Sequence, residues 1–255
     1  MGKGKLAKFA DMAANPLVVQ CPYDKDLVAG AFALQGRWCT DFFHNPNPIT
    51  LELGCGRGEY TVGLARRFPQ KNFIGVDIKG ARMWHGAQEA LHEGLPNAAF
   101  LRTRIEMLDR LFASDEVSEL WLTFSDPQTK KPRKRLTHTT FLARYRQFLI
   151  DGGLIHLKTD SQFLHTYTRL VAEHNHLPID VCEEDLYHSA AQQDSWLTDI
   201  QTYYEQMWIE RGLPIRYIRM RLPHDGPLTE PDTEIPVDPY RSYGHQVNSP
   251  ITMRK

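Results

Sequence analysis

The sequence predicts an α/β fold with a mostly parallel central sheet and helices on both faces. Short apolar stretches alternate with amphipathic stretches from Ile49 onward, which is typical of repeated β–α units. The first such unit carries three glycines directly after its apolar stretch, as a strand–turn–helix connection requires. The candidate strands are 49–53, 72–76, 98–102, 117–124, 153–158 and 215–221. The candidate helices are 58–68, 80–94, 104–113, 137–149, 160–175 and 198–211.

Length and composition divide the chain into three parts. The 255 residues, of which 42% are hydrophobic, are enough for one large α/β domain with additions. We expect residues 1–48 to form a basic arm and a lead-in, and residues 49–222 to form the main domain. Residues 223–255 contain six prolines and few large aliphatic side chains. This last part is expected to be a tail that wraps the surface or is partly disordered.

Charge and cysteine content narrow the class of protein further. The formal net charge is −1, so any nucleic-acid surface must be a local patch rather than a global field. Four scattered cysteines without a C-x-x-C pair argue against a disulfide framework or a metal site. This cysteine usage fits a reducing cytosol, so we expect a cytoplasmic protein. No apolar run reaches the ~20 residues of a membrane span, so we expect no membrane contact.

The glycine turn predicts a cofactor site. Gly54, Gly56 and Gly58 follow the pattern G-x-G-x-G, whereas dinucleotide-binding proteins use G-x-G-x-x-G. Glu52 precedes the turn and would repel a pyrophosphate but attract an ammonium group. Asp77 ends the next strand, where a carboxylate can accept hydrogen bonds from ribose hydroxyls. S-adenosylmethionine has an ammonium group and a ribose and no phosphate, so it fits this pattern. A site for this cofactor explains the turn together with both carboxylates, whereas a purely structural role would explain the turn alone.

An acidic residue and a basic loop come together after the fourth candidate strand. Asp126 is followed by Pro127, which restricts the backbone and so holds the carboxylate in a set direction. A basic run is usually a solvated surface. Its place beside a pocket carboxylate instead favours a nucleic acid, whose phosphates meet the cations and whose base meets Asp126. The cations are Lys130, Lys131, Arg133, Lys134 and Arg135.

Two further patterns have simple structural interpretations when taken alone. Asp160 ends a candidate strand at the start of a helix, where it would be an ordinary N-cap. Thr202 and Glu205 are three residues apart and share a helix face, as in a capping or amphipathic helix.

The motifs, taken in order, resemble those of the bacterial tRNA (guanine-N7-)-methyltransferases. The resemblance extends from Ile49 to Arg211 and is carried by LELGCGRGEY, NFIGVDIKG, LTFSDPQTKKPRKR, GGLIHLKTD and TYYE. It implies a Rossmann-like class I methyltransferase fold with S-adenosylmethionine as cofactor and tRNA as partner. The implied reaction is methyl transfer to N7 of a guanine, which in the family is position 46 of the variable loop.

The resemblance also implies roles for individual residues. The catalytic aspartate matches Asp126. The implied cofactor contacts are Glu52, Gly54, Gly56, Asp77, Arg104, Ile105 and Asp126. The implied substrate contacts are Lys130, Asp160, Thr202, Tyr203, Tyr204 and Glu205, and no metal is implied. The chain departs from most relatives at Ser125 and Gln128, which stand where Pro and Trp are usual, and at Arg104, where Asp is frequent.

Three alternatives to this function remain open at the level of sequence. The chain could methylate another RNA or a small molecule, or it could be a non-catalytic RNA-binding protein on the same fold. A nucleotide-dependent oxidoreductase is disfavoured by the glycine spacing. The sequence does not distinguish a monomer from a homodimer.

Overall fold

An eight-stranded sheet forms the centre of the computed structural model, which describes residues 4–24, 26–28, 30–189 and 196–238. Its spatial order is β1-β4-β3-β2-β5-β6-β8-β7. The strands are β1 (Val18–Gln20), β2 (Ile49–Leu53), β3 (Asn72–Asp77), β4 (Ala98–Arg102), β5 (Val117–Thr123), β6 (Leu149–Thr159), β7 (Ile179–Glu183) and β8 (Arg216–Leu222).

In this spatial order the first six strands, β1 to β6, pair in parallel with their neighbours. Strand β8 runs antiparallel to both of its neighbours, β6 and β7. The predicted mostly parallel α/β fold is therefore confirmed. Because β2, β3, β5 and β6 are parallel, their carboxyl ends meet at one edge of the sheet, where ligands bind in such folds. Glu52 of β2 lies beside Trp121 of β5 on one side and Gly75 of β3 on the other.

Helices cover both faces of the sheet. Side chains that alternate along a strand, such as Leu120, Trp121 and Leu122 of β5, belong to two separate buried clusters. None of the helices in these ranges is both long enough and apolar enough to span a membrane. The α-helices are α1 (Lys5–Ala14), α2 (Glu59–Arg67), α3 (Gly80–His92), α4 (Thr139–Tyr145), α5 (Gln162–His174), α6 (Trp196–Asp199) and α7 (Tyr203–Ile209).

Several predicted elements differ from the observed ones. The helix predicted over 104–113 is a short 3₁₀-helix, Ile105–Arg110, and the helix predicted over 198–211 is divided into α6 and α7. The division occurs because Thr202 starts a new helix with a capping box. Strand β6 begins at Leu149, where the sequence predicted the end of a helix. Strands β1 and β7 were not predicted.

Residues 223–238 lie along the surface without forming a helix or strand, and acidic side chains fasten them to two helix starts. Glu230 accepts hydrogen bonds from the backbone N–H of Thr139 at 2.9 Å and from the hydroxyl of Tyr167 at 2.7 Å. Asp238 accepts a hydrogen bond from the hydroxyl of Ser161, which begins α5. The rest of the predicted tail, 239–255, and the first three residues of the predicted basic arm lie outside the described residues.

Candidate functional site

The glycine turn after β2 has the left-handed backbone that its sequence predicts. Gly54, Gly56 and Gly58 have φ values of +82°, +55° and +80°, which glycine adopts more readily than any other residue. A Cβ atom at Gly58 would also approach Phe100 to 2.6 Å, whereas a Cβ atom at Gly54 would meet nothing within 4 Å. The turn is therefore tight against the core at one end and open towards a ligand at the other.

A cavity of about 580 Å³ opens beside this turn, at the carboxyl edge of the sheet. Its size is in the range of small-molecule and cofactor sites. The residues that line it from the predicted site are Glu52, Gly54, Gly56, Asp77, Thr202, Tyr203 and Tyr204. The other lining residues are Lys8, Cys55, Arg57, Glu59, Lys79, Ala81, Arg82, His85, Thr123 and Phe124.

Glu52 is a buried carboxylate at the floor of the cavity, with 3% of its surface exposed. It accepts hydrogen bonds from the backbone N–H of Thr61 at 2.9 Å and from the hydroxyl of Thr123 at 2.6 Å. Burial raises the pKa of Glu52 to about 7, although the hydrogen bonds from Thr123 and Thr61 oppose that rise. A cationic ligand group placed beside Glu52 would favour its charged form.

Asp77 is held by backbone donors on both of its carboxylate oxygens. One oxygen accepts the N–H of Gly56 at 2.9 Å and the other accepts the N–H of Lys79 at 2.8 Å. Each carboxylate oxygen can accept more than one hydrogen bond. Asp77 is thus fixed in direction and still able to accept hydrogen bonds from the hydroxyls of a ribose in the cavity.

Asp126 lies on an exposed turn three residues beyond β5, beside the cavity rather than in its lining. Its carboxylate accepts the N–H of Gln128 at 2.9 Å. Phe124 and Gln128, on either side, have φ values of +50° and +48°, which are uncommon for residues other than glycine and mark functional loops. Since Phe124 lines the cavity, the strained turn that carries Asp126 begins at the cavity wall.

Four of the five cations in the predicted basic loop are exposed, and the fifth is buried and holds the loop in place through contacts with Pro127 and α5. Arg135 is buried and donates a hydrogen bond to the carbonyl of Pro127 at 3.1 Å. Its guanidinium also lies 4.7 Å from the ring centre of Phe163 and 4.4 Å from that of Tyr167. The exposed cations are Lys130, Lys131, Arg133 and Lys134.

Comparison with known proteins places this chain in a family. The methyltransferase family model Methyltransf_4 matches residues 46–217. A protein of Bacteroides fragilis with the name tRNA (guanine-N(7)-)-methyltransferase is 59% identical over 100% of both chains. A Porphyromonas gingivalis protein of the same name is 60% identical over 93% of this chain and 98% of its own. The chain belongs to the tRNA (guanine-N7-)-methyltransferase family.

Solved structures that are distant in sequence share the fold of this tRNA (guanine-N7-)-methyltransferase family member. The 16S rRNA methyltransferase KamB is 14% identical, with a TM-score of 0.52 over 69% of this chain and 88% of its own. An antibiotic-related methyltransferase is 13% identical, with a TM-score of 0.53 over 71% of this chain and 90% of its own. At these identities the comparison concerns the fold alone, and it confirms the predicted Rossmann-like class I methyltransferase fold.

The TYYE motif of the family is anchored to the sheet by a buried ion pair. Lys158 of β6 lies 2.5 Å from a carboxylate oxygen of Glu205, and both side chains are 0% exposed. Tyr187 donates a second hydrogen bond to Glu205 at 2.8 Å. Glu205 also completes the capping box with Thr202. The predicted substrate contact Glu205 therefore lies in the interior, while its neighbours Thr202–Tyr204 line the cavity.

Four other predicted contacts lie outside the cavity lining. Arg104 is exposed, with its guanidinium 4.5 Å from the ring centre of Tyr23, and Ile105 packs against the larger buried cluster. Lys130 is in the exposed basic loop. Asp160 is buried after β6, and Ser161 rather than Asp160 is the N-cap of α5, so helix capping does not account for Asp160. The structure does not bring these four residues to the cavity.

Sequence reasoning missed a group of basic residues that line the cavity. Lys79 and Arg82 follow Asp77 closely, so their proximity to the site was available from the sequence. Lys8 had no such signal, because it reaches the cavity only through the packing of α1 against α3. In that packing, Lys8 contacts His85 at 3.1 Å.

The raised pKa of Glu52 predicts a pH dependence of cofactor binding. A carboxyl with a pKa of about 7 is mostly neutral at pH 6 and mostly charged at pH 7.5, and only the charged form attracts an ammonium group. Affinity for S-adenosylmethionine, measured by calorimetry, should therefore increase about five- to tenfold over this range. An α-amino group has a pKa of about 7.7–8.0, so the ammonium group of the ligand is still mostly protonated at pH 7.5, the upper end of this range.

The matched variant for this measurement is Glu52→Gln, which keeps hydrogen-bonding capacity and removes the titrating charge. We expect it to bind the cofactor more weakly at pH 7.5, with nearly constant affinity between pH 6 and 7.5. A wild-type affinity that does not change with pH would contradict the role given to Glu52.

Proposed function

We propose that this protein transfers a methyl group from S-adenosylmethionine to N7 of a guanine in tRNA. The observation that carries the proposal is a carboxylate-floored cavity whose wall includes Phe124, two residues before Asp126 and the basic loop, in a chain of this family. The finer proposal is that the guanine is position 46 of the variable loop, and that the protein acts in the cytoplasm.

The residues of the cavity fit the proposed cofactor. The buried carboxylate of Glu52 suits the ammonium group, and the oxygens of Asp77 suit the ribose hydroxyls. The space beside Gly54, which a Cβ atom would enter without meeting another atom within 4 Å, allows a ligand to approach the backbone. When bound, the cofactor supplies an electrophilic methyl group on a sulfonium.

Asp126 is proposed to bind guanine and to stabilise developing charge. N7 of guanine has a lone pair in the plane of the ring and no hydrogen, so the reaction needs no general base. The exposed carboxylate of Asp126 can accept hydrogen bonds from N1–H and the exocyclic amine of guanine. Its negative charge also favours the cationic 7-methylguanine that forms.

The rest of the site is proposed to position the RNA. Holding N7 in line with the methyl carbon lowers the entropic part of the barrier. Lys130 and the other exposed cations of the basic loop can contact phosphates on either side of the guanine. Asp126 then selects the base while the loop fixes its approach.

Mapping of the methylated base tests this function. The protein should transfer label from S-adenosylmethionine to unmodified tRNA, and digestion should yield labelled 7-methylguanosine. A tRNA with adenine in place of guanine 46 is the matched control and should remain unlabelled. Label in another base or in ribosomal RNA would support a different methyltransferase. Binding of tRNA without any transfer would support a non-catalytic RNA-binding protein.

A further inference from the structure

Five basic side chains lie along one side of the cavity and are here called the basic rim. They come from helix α1, from the glycine turn, and from the first part of α3 with the residue before it. Four of its members follow β2 or β3, whereas the basic loop follows β5, which lies on the other side of β2 from β3 in the sheet. The members of the basic rim are Lys8, Arg57, Lys79, Arg82 and His85.

The proposed cofactor does not account for these cations. S-adenosylmethionine carries a sulfonium, an ammonium and one carboxylate, so its net charge is positive and its carboxylate needs at most one cationic partner. Glu52, Glu59 and Asp77 are the acidic residues of the cavity and suit the positive groups. The basic rim, by contrast, repels a cationic cofactor and suits an anionic ligand.

The cations of the basic rim are not neutralised by nearby carboxylates. Lys79 and Arg82 are exposed and form no ion pair within the described ranges. Arg57 lies 3.8 Å from Glu59, and an ion pair this long and only partly buried contributes little. The pKa of His85 is lowered first by burial and then by the charges of Lys8 and Arg57. His85 is therefore mainly neutral at pH 7, and the positive charge of the basic rim comes from Lys8, Arg57, Lys79 and Arg82. The rim is a local concentration of cations in a chain whose net charge is −1.

Helix α1 is packed so that it holds Lys8 at the cavity. The indole N–H of Trp84 donates to Asp11 at 2.8 Å. The guanidinium of Arg102 lies 4.6 Å from the ring centre of Phe9, and Lys8 itself lies 4.7 Å from the ring centre of Trp84. These contacts hold Lys8, Phe9 and Asp11 of α1 against the main domain, so Lys8 has a defined position in the basic rim.

We propose that the basic rim binds phosphates of the substrate RNA, in addition to those bound by the basic loop. This inference rests on the proposed function. The RNA then crosses the carboxyl edge of the sheet from the basic loop, past Asp126 and the cavity mouth, to the basic rim. Phosphate contacts of this kind fix the position of a nucleic acid without selecting its sequence. The basic rim would hold the segment on one side of the target guanine while the basic loop holds the other.

The double variant Lys79→Gln and Arg82→Gln tests this proposal. Both side chains are exposed, so the variant should fold, which thermal unfolding can verify. Affinity for tRNA should fall about tenfold near 0.1 M salt, and the slope of log affinity against log salt should become smaller by about 1.5, since two phosphate contacts are lost. Affinity for S-adenosylmethionine, measured by calorimetry without RNA, should stay the same or increase.

Arg169→Gln is the matched control, because Arg169 is a surface cation of α5 paired with Glu173 at 2.9 Å, away from the cavity. It should leave the salt slope unchanged. An unchanged slope for the double variant would overturn the proposal, as would a loss of cofactor affinity equal to the loss of RNA affinity. If the wild-type protein methylates tRNA in either case, the proposed function stands and only the role of the basic rim fails.

Discussion

Replacement of Asp126 with Asn should lower the rate of tRNA methylation by about 100-fold or more, the usual effect of losing one electrostatic partner of a transition state. The amide can still accept one hydrogen bond from guanine, but it carries no charge to favour the cation that forms at the ring. Binding of tRNA should change much less, because the exposed cations of the basic loop remain. The measurement is a single-turnover rate with excess enzyme, beside a direct tRNA binding curve.

Asp115→Asn is the matched control for this variant. Asp115 is an exposed aspartate just before β5, whereas Asp126 follows the same strand at its other end. Its φ of +59° is one that asparagine tolerates well. This control should methylate tRNA at the wild-type rate. If Asp126→Asn also does so, Asp126 has no role in the chemical step.

The part of the candidate site that sequence could predict is local. Glu52, the glycine turn and Asp77 belong to consecutive β–α units, and parallel pairing of β2 with β3 brings their carboxyl ends together. The hydrogen bond between Gly56 and Asp77 shows this directly. The alternation of candidate strands and helices along the chain was enough to predict both the parallel sheet and the edge of the sheet at which the cavity opens.

The parts that could not be predicted depend on tertiary packing. Lys8 reaches the cavity because α1 packs on α3, and nothing in the N-terminal sequence indicates that contact. Glu205 was expected at the substrate because its motif suggested a binding role, yet the structure buries it against Lys158. Arg135 looks like its basic neighbours in the sequence, but aromatic rings from α5 cover its guanidinium.

The missed strands have a similar explanation. Strand β1 has three residues, Val18–Gln20, too few to show a period, and it forms only by pairing with β4. Strand β7, Ile179–Glu183, is at the other edge and has no fully buried residue, so its apolar pattern is weak. Both edges of the sheet are therefore determined by their neighbours more than by their own sequence.

Replacement of Lys158 with Met should have the largest effect on stability among the substitutions considered. The carboxylate of Glu205 would remain buried without its cation, although Tyr187 would still donate a hydrogen bond to it. Breaking a buried pair in this way lowers the free energy of unfolding by about 3–5 kcal/mol. Urea unfolding monitored by circular dichroism measures the change.

Lys158→Met should also affect the cavity in which we propose that the cofactor binds. Lys158 donates a hydrogen bond to the carbonyl of Leu197 at 2.6 Å, and through Glu205 it holds the start of α7. Thr202–Tyr204 at that start form one wall of the cavity. Affinity for S-adenosylmethionine should therefore decrease in the folded fraction of Lys158→Met, and calorimetry at low temperature can measure it.

Two further variants separate the ion pair from general disruption. The double variant Lys158→Met and Glu205→Met removes both charges and should recover most of the lost stability, since apolar replacements of buried pairs are often neutral. Arg66→Met breaks an exposed cluster with Glu89 and Glu93 and should cost about 1 kcal/mol or less. Lys158 does not anchor the TYYE helix if Lys158→Met lowers the free energy of unfolding no more than Arg66→Met does. The same conclusion follows if the double variant loses the sum of the losses in the two single variants, Lys158→Met and Glu205→Met. The double variant could also regain its stability and still bind the cofactor weakly. That result would show that the charged pair sets the position of α7, because apolar packing would then restore stability without restoring the cavity wall.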